Sequence, residues 1–144
     1  MIRYGISFGL SLLFLVFAGC GGNVGLSGKV YFSDDKSPVP LGTVGLEADS
    51  GSHIARGDIQ PNGTFVVSSL KSNDGLPPGK YRGSVSASKH VGNGIFETLI
   101  DPKFGNVATS GITIDITKKT RNFNIEVDRY VPSATKGKNT IQRK

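Results

Sequence analysis

The stretch ITIDITKKTRNFNIEVD, residues 112–128, alternates apolar and polar side chains along most of its length. Ile112, Ile114 and Ile116 fall on one side, with Thr113, Asp115 and Thr117 on the other. After Lys118-Lys119-Thr120 the alternation resumes, with Phe123, Ile125 and Val127 set against Asn122, Asn124 and Glu126. Successive side chains of a strand point to opposite faces, so this period suits a half-buried strand; a helix would scatter the same apolar residues around its circumference. Two such strands around a short polar turn predict a β-hairpin.

The same period recurs upstream. Leu26, Gly28, Val30 and Phe32 alternate before the loop SDDKSPVP; Val44, Leu46 and Ala48 alternate before Asp49-Ser50-Gly51-Ser52. A weaker strand is expected over Ile54–Ile59. The turn Pro61-Asn62-Gly63 leads into Phe65 and Val67, and the loop SNDGLPPG leads into Tyr81, Gly83, Val85 and Ala87. Ile95–Ile100 is a further candidate. Twenty glycines and no tryptophan suit a turn-rich β domain. No internal repeat and no helix-period segment appears after residue 20. These features predict an all-β fold: one antiparallel sandwich of about seven to eight strands, immunoglobulin- or prealbumin-like, following an N-terminal signal helix.

That N-terminal segment starts with Arg3 and runs apolar from Gly5 to Ala18. Its fourteen residues make a helix of about 21 Å, short of the roughly 30 Å hydrocarbon core, so a secretory signal fits better than a permanent span. Phe17-Ala18-Gly19-Cys20 ends the run on the sole cysteine of the chain. This resembles the lipobox of bacterial lipoproteins, with Phe17 standing where leucine is usual. The resemblance implies cleavage before Cys20 and lipid on its thiol. Several acyl chains anchor stably where one is marginal. Gly21, in place of an inner-membrane retention aspartate, points toward the outer membrane. With one cysteine, no intramolecular disulfide can form. The expected organisation is 1–19 signal peptide, 20–25 lipidated tether, 26–128 sandwich and 129–144 basic disordered tail.

The formal charge of +6 sits almost entirely in that tail. Eleven basic residues between Asn23 and Asp128 cancel the eleven acidic ones, leaving Arg129, Lys136, Lys138, Arg143 and Lys144 unopposed. The tail is polar and aperiodic, as in disordered termini. Contact with anionic lipid or an acidic wall polymer is one reading; a solvated terminus is the plainer one. Nucleic acid is not expected as a partner, because no basic-aromatic pattern accompanies the charge.

Gly28, Val30, Asp58, Gly63 and Phe65, followed by Leu76-Pro77-Pro78-Gly79 and Tyr81, resemble the turn and core positions of carboxypeptidase regulatory-like, transthyretin-related domains. The segment DPKFGNVATSGITIDITKKTRNFNIEVD is similar to the C-terminal part of small lipoproteins of planctomycete-type bacteria, with Phe104 where tyrosine is frequent. The resemblance covers most of the chain after the signal and implies a seven-stranded prealbumin-like sandwich. Its motif residues specify fold rather than a reaction. The zinc-binding catalytic part that accompanies such domains in carboxypeptidases has no counterpart, so no peptidase activity follows.

Candidate chemistry is sparse. His53 lies beside a Gly-Ser turn and His90 near Gly92-Asn93-Gly94, neither with a second ligand at metal spacing. Asp34-Asp35 is an acidic pair without the oxygen-rich repeat of a calcium loop. No Gly-x-Ser-x-Gly elbow occurs, and Gly92-Asn93-Gly94 is too short to cradle phosphate. Arg56-Gly57-Asp58 falls within an expected strand rather than at a loop tip. No catalytic residue, metal site or cofactor is therefore assigned, and Cys20 is the one modification site.

The leading expectation is a non-enzymatic, lipid-anchored protein of the exported cell envelope. It would contact an envelope protein or glycan by strand addition or loop contact, with the oligomeric state left open. An alternative is a carbohydrate- or calcium-binding module using loops 33–40, 71–79 and 89–95 at one end, with Tyr31, Phe96 and Phe104 as its aromatics. A third is a transthyretin-like hydrolase, suggested by Tyr81-Arg82-Gly83-Ser84. That signature belongs at a C terminus, whereas here it lies mid-chain.

Overall fold

The computed structural model describes residues 22–69 and 74–132. The expected signal helix, Cys20 and the tail beyond Pro132 lie outside the described residues, as do positions 71–73 of one expected loop. Within them the chain is all-β apart from one short 3₁₀ turn at Pro102–Gly105. The strands are β1 (Leu26–Phe32), β2 (Gly42–Ala48), β3 (Ile54–Ile59), β4 (Thr64–Val67), β5 (Gly79–Ser86), β6 (Ser88–Gly92), β7 (Ile95–Thr98), β8 (Thr113–Ile116) and β9 (Ile125–Val127).

Two sheets face each other, β4-β1-β9 and β3-β2-β5-β8. Their inward side chains form one core containing Leu26, Val30, Val44, Leu46, Phe65 and Val85. The alternation therefore does what the sequence implies: one face of each strand of the two sheets is buried, the other wet. Gly28 is small for a physical reason. A Cβ there would sit 1.8 Å from the Phe123 carbonyl oxygen and 2.7 Å from the Phe65 ring. The Leu-Pro-Pro-Gly-x-Tyr motif is explained by a tyrosine corner: the buried Tyr81 hydroxyl donates to the Pro77 carbonyl at 2.9 Å, fixing the turn that feeds β5. Leu76, fully buried, exchanges backbone hydrogen bonds with Val24 and ties the incoming chain to the same turn.

One expectation is corrected. The segment 112–128 is not a hairpin. β8 pairs with β5 and β9 with β1, so the two strands lie in opposite sheets and the polar turn at 117–120 arches between them. Alternation reports which face is buried, and both strands do bury Ile114, Ile116, Ile125 and Val127 inward; it does not report the neighbour. The β1–β9 pair is also parallel, whereas the other strand pairs are antiparallel. Joining opposite sheets, rather than turning back within one, lets β9 run alongside β1 in the same direction.

Strand directions decide which loops share an end. β1, β3, β5 and β9 run one way, and β2, β4 and β8 the other. The chain enters at Gly22 at one end, beside the turns 49–53, 74–78 and 117–122. The loop 33–41, the turn 60–63, the β6–β7 hairpin and residues 128–132 lie at the opposite end.

Candidate functional site

The β6–β7 hairpin is the least buried part of the described structure. Its Asn93-Gly94 turn has φ of 50° and 73°, the pair of positive values that a type I′ turn requires. His90 pairs across the ribbon with Phe96, their ring centroids 5.1 Å apart at 58°, and Lys89 pairs with Glu97. These neighbouring pairs point to opposite faces. Phe96 therefore stands on one face and Ile95, in phase with Glu97, on the other. Val91, Ile95 and Phe96 are 51%, 60% and 65% exposed. A bulge between His90 and Gly92 breaks the register. Among the described residues neither outer edge of the ribbon pairs with another strand.

The expected loop 89–95 is thus a hairpin, and the expected strand Ile95–Ile100 is shorter, with Ile100 already in the core. Asn-Gly between apolar residues is the sequence signal for it. Of the three candidate aromatics, Phe96 is exposed, Tyr31 half-buried and Phe104 buried. The three candidate loops do not converge: 33–40 and the hairpin share an end, and the described part of 71–79 lies at the other.

At the hairpin end the acidic pair is already occupied. Arg129 Nε donates to Asp34 at 2.8 Å, and its Nη2 donates to Asp35 at 2.7 Å and to the Ser37 hydroxyl at 2.8 Å. Its guanidinium carbon sits 3.7 Å from the centre of the Phe32 ring. The remaining carboxylate oxygens accept too: Asp34 from the Asp35 amide, Asp35 from the Ser37 amide and hydroxyl. The Ser37 hydroxyl first, then its amide, with a smaller part from Arg129, holds the Asp35 carboxyl down at about 2. Arg129, counted with the tail in the sequence, is therefore part of the folded body. Nearby, Lys36 meets Glu126 at 2.6 Å, and the Ser33 hydroxyl donates to Asp128 at 2.7 Å. Hydrogen bonds from Lys103 and then Ser33 keep the Asp128 carboxyl below its ordinary range.

His53 lies at the Gly22 end, in a shallow groove of about 350 Å³ shared with Ser50, Ser52, Pro77 and Tyr81. Its Nδ1 is 2.8 Å from the Ser52 hydroxyl, which lies 2.7 Å from that of Ser50. The nearby Asp49 faces Arg82, at 3.3 Å. His53 and His90 occupy opposite ends of the sandwich. Tyr81-Arg82-Gly83-Ser84 lies inside β5, with Tyr81 and Gly83 turned into the core. Arg56-Gly57-Asp58 is on β3. No group of three metal-ligating side chains converges among the described residues.

No protein-family model matches the chain, and no curated protein matches it. Among solved structures it is similar to the major pilin subunit of Bacillus cereus, at 13% identity and a TM-score of 0.49, over 74% of this chain. The chain spans 30% of the length of that pilin.

The geometry thus offers two unlike ends. The end at which Gly22 enters is closed by the Val24–Leu76 bridge and the Tyr81 corner. The other end combines a stiff, ion-paired loop with an exposed apolar ribbon. No helix among the described residues is long and apolar enough to cross a membrane.

Proposed function

We propose that this chain is a lipid-anchored envelope protein whose sandwich performs no chemistry of its own. Acylated Cys20 holds the tether end at the bilayer, and the β6–β7 hairpin is presented outward to a protein partner. The observation that carries this reading is the opposition of the two ends. Gly22, two residues after Cys20, enters at the end farthest from Val91, Ile95 and Phe96. A ribbon whose two edges meet no other strand among the described residues, with apolar side chains on both faces, suits backbone pairing with an added strand, its side chains supplying specificity. Export follows from the signal-like segment, and the absence of assigned chemistry from the dispersal of the histidines and carboxylates.

The test is lipid labelling with fractionation in a bacterial host. The native chain should take up an acyl label and sediment with envelope membranes, and Cys20→Ser should lose both properties. A Cys20→Ser protein that stays with the membrane overturns the anchor. A photo-crosslinking residue at position 96, set against one at position 52, tests the outward end. Adducts should form with a protein from position 96 and not from position 52; the reverse pattern overturns the assignment of the contacting end.

A further inference from the structure

The first and last strands of the sandwich are neighbours, parallel and in register: Val30 opposite Ile125, Tyr31 opposite Glu126, Phe32 opposite Val127. Because they run the same way, the chain enters at the foot of β1 and leaves at the head of β9. A pull on the two chain ends therefore drives β1 and β9 past each other along their own axis. In that geometry the ladder bonds carry the load together. In an antiparallel pair pulled from adjacent ends they would open one at a time. β1 is also the central strand, held on its other side by β4 from Leu26 to Lys29, so its lower half is sheared against a second ladder.

The head of the pair carries a further tie. Past β1, Ser33 donates its amide to the Val127 carbonyl at 2.9 Å. Past β9, Arg129 grips Asp34, Asp35 and Ser37 and lies on Phe32. Each bond joins the end of one strand to the end of the other, across the line along which they would slide. Exposed ion pairs of this kind add little at equilibrium. Resistance to pulling is a rate, however, and depends on what must break to reach the barrier.

We propose that the sandwich is built to resist tension applied between its two chain ends, at Gly22 and Pro132. Such a load is carried in shear by β1–β9 and locked by the Arg129 tie. The proposal stands apart from the tethered reading. The test needs no lipid, so loss of acylation and loss of mechanical resistance are separate results.

In a single-molecule pulling experiment at one fixed speed, the full chain is gripped at its two termini, or at its N terminus and a handle on Lys118. The second grip opens β1 from β9 starting at their feet. Pulling on the termini should need a clearly higher unfolding force than the second grip. Arg129→Ala, and separately Asp34→Asn with Asp35→Asn, should lower the first force, leaving the second force and the melting temperature as in the native chain. Equal forces in the two geometries overturn the proposal. So does an Arg129→Ala chain that keeps the terminal force, or one that weakens both directions together with thermal stability.

Discussion

The sandwich body and the β6–β7 hairpin are built from similar residues and held by different physics. In the body, β1, β2, β4 and β5 bury every second side chain in one shared core, and Phe65 is 1% exposed. In the hairpin, Phe96 is of the same type and 65% exposed. Its ribbon is specified by the Asn93-Gly94 turn and one ring-on-ring contact. A two-stranded ribbon without a core is marginal on its own. The body is consequently a fixed scaffold, and the hairpin is the part free to change its surroundings.

The sharpest test of that contrast truncates the same side chain in both places. Phe65→Ala should cost about 3–5 kcal/mol through lost burial and a cavity, read as a large fall in denaturant midpoint. Phe96→Ala should stay within about 0.5 kcal/mol of the native chain. Comparable losses would mean that the hairpin is packed in solution. At the Gly22 end, Tyr81→Phe removes one part-buried hydrogen bond and should cost about 1 kcal/mol, leaving the Pro77 carbonyl short of a partner. Burial raises the pKa of the Tyr81 phenol above its ordinary value.

Replacing Gly94 by Val separates the two regions differently. The residue sits at φ 73°, where a β-branched side chain is strained, yet open space surrounds its Cα, so nothing in the core is disturbed. Amide exchange should quicken from Ser88 to Thr98 and stay slow in β2 and β5, with the global midpoint moved by less than about 0.5 kcal/mol. Loss of protection in β2 and β5 as well would show that hairpin and body fold as one unit.

These outcomes also bear on what a reader of the sequence alone can see. The inward faces of β1, β2, β5, β8 and β9 are legible because period-two patterning is set by burial, which each residue reports for itself. Partnership is not legible in the same way. Ile112–Val127 reads as a hairpin since nothing in Lys118-Lys119-Thr120 encodes whether the chain turns back within a sheet or arches to the other. Arg129 reads as tail because its partners, Asp34 and Asp35, lie 95 and 94 positions away. The hairpin had a local signal, Asn93-Gly94, but its strands lack the alternation that marks the rest, since neither face is buried. The parts hardest to read are those whose stability comes from distant polar partners or from a turn alone.

The smallest expected effect concerns acid. The Asp35 carboxyl is held at about 2, chiefly by the Ser37 hydroxyl, then by the Ser37 amide, with Arg129 a lesser contributor. A free aspartate titrates at about 3.9, so the folded state binds this proton less readily than the unfolded chain. Whatever this group adds to stability is then complete above the ordinary aspartate range and is lost as pH falls from there through about 2. Because the carboxylate is exposed, the change in stability should be slight, and the direct observable is the titration itself. Carboxyl-carbon chemical shifts should place the Asp35 titration below the ordinary aspartate range. Ser37→Ala should raise its pKa, because the Ser37 hydroxyl is the largest single cause. An unchanged titration would mean that Arg129, and not the local turn, holds the charge. The loop would then be shaped by the end of β9 rather than by its own sequence, erasing in this one corner the distinction between a scaffold set by distant contacts and a surface element set by its turn.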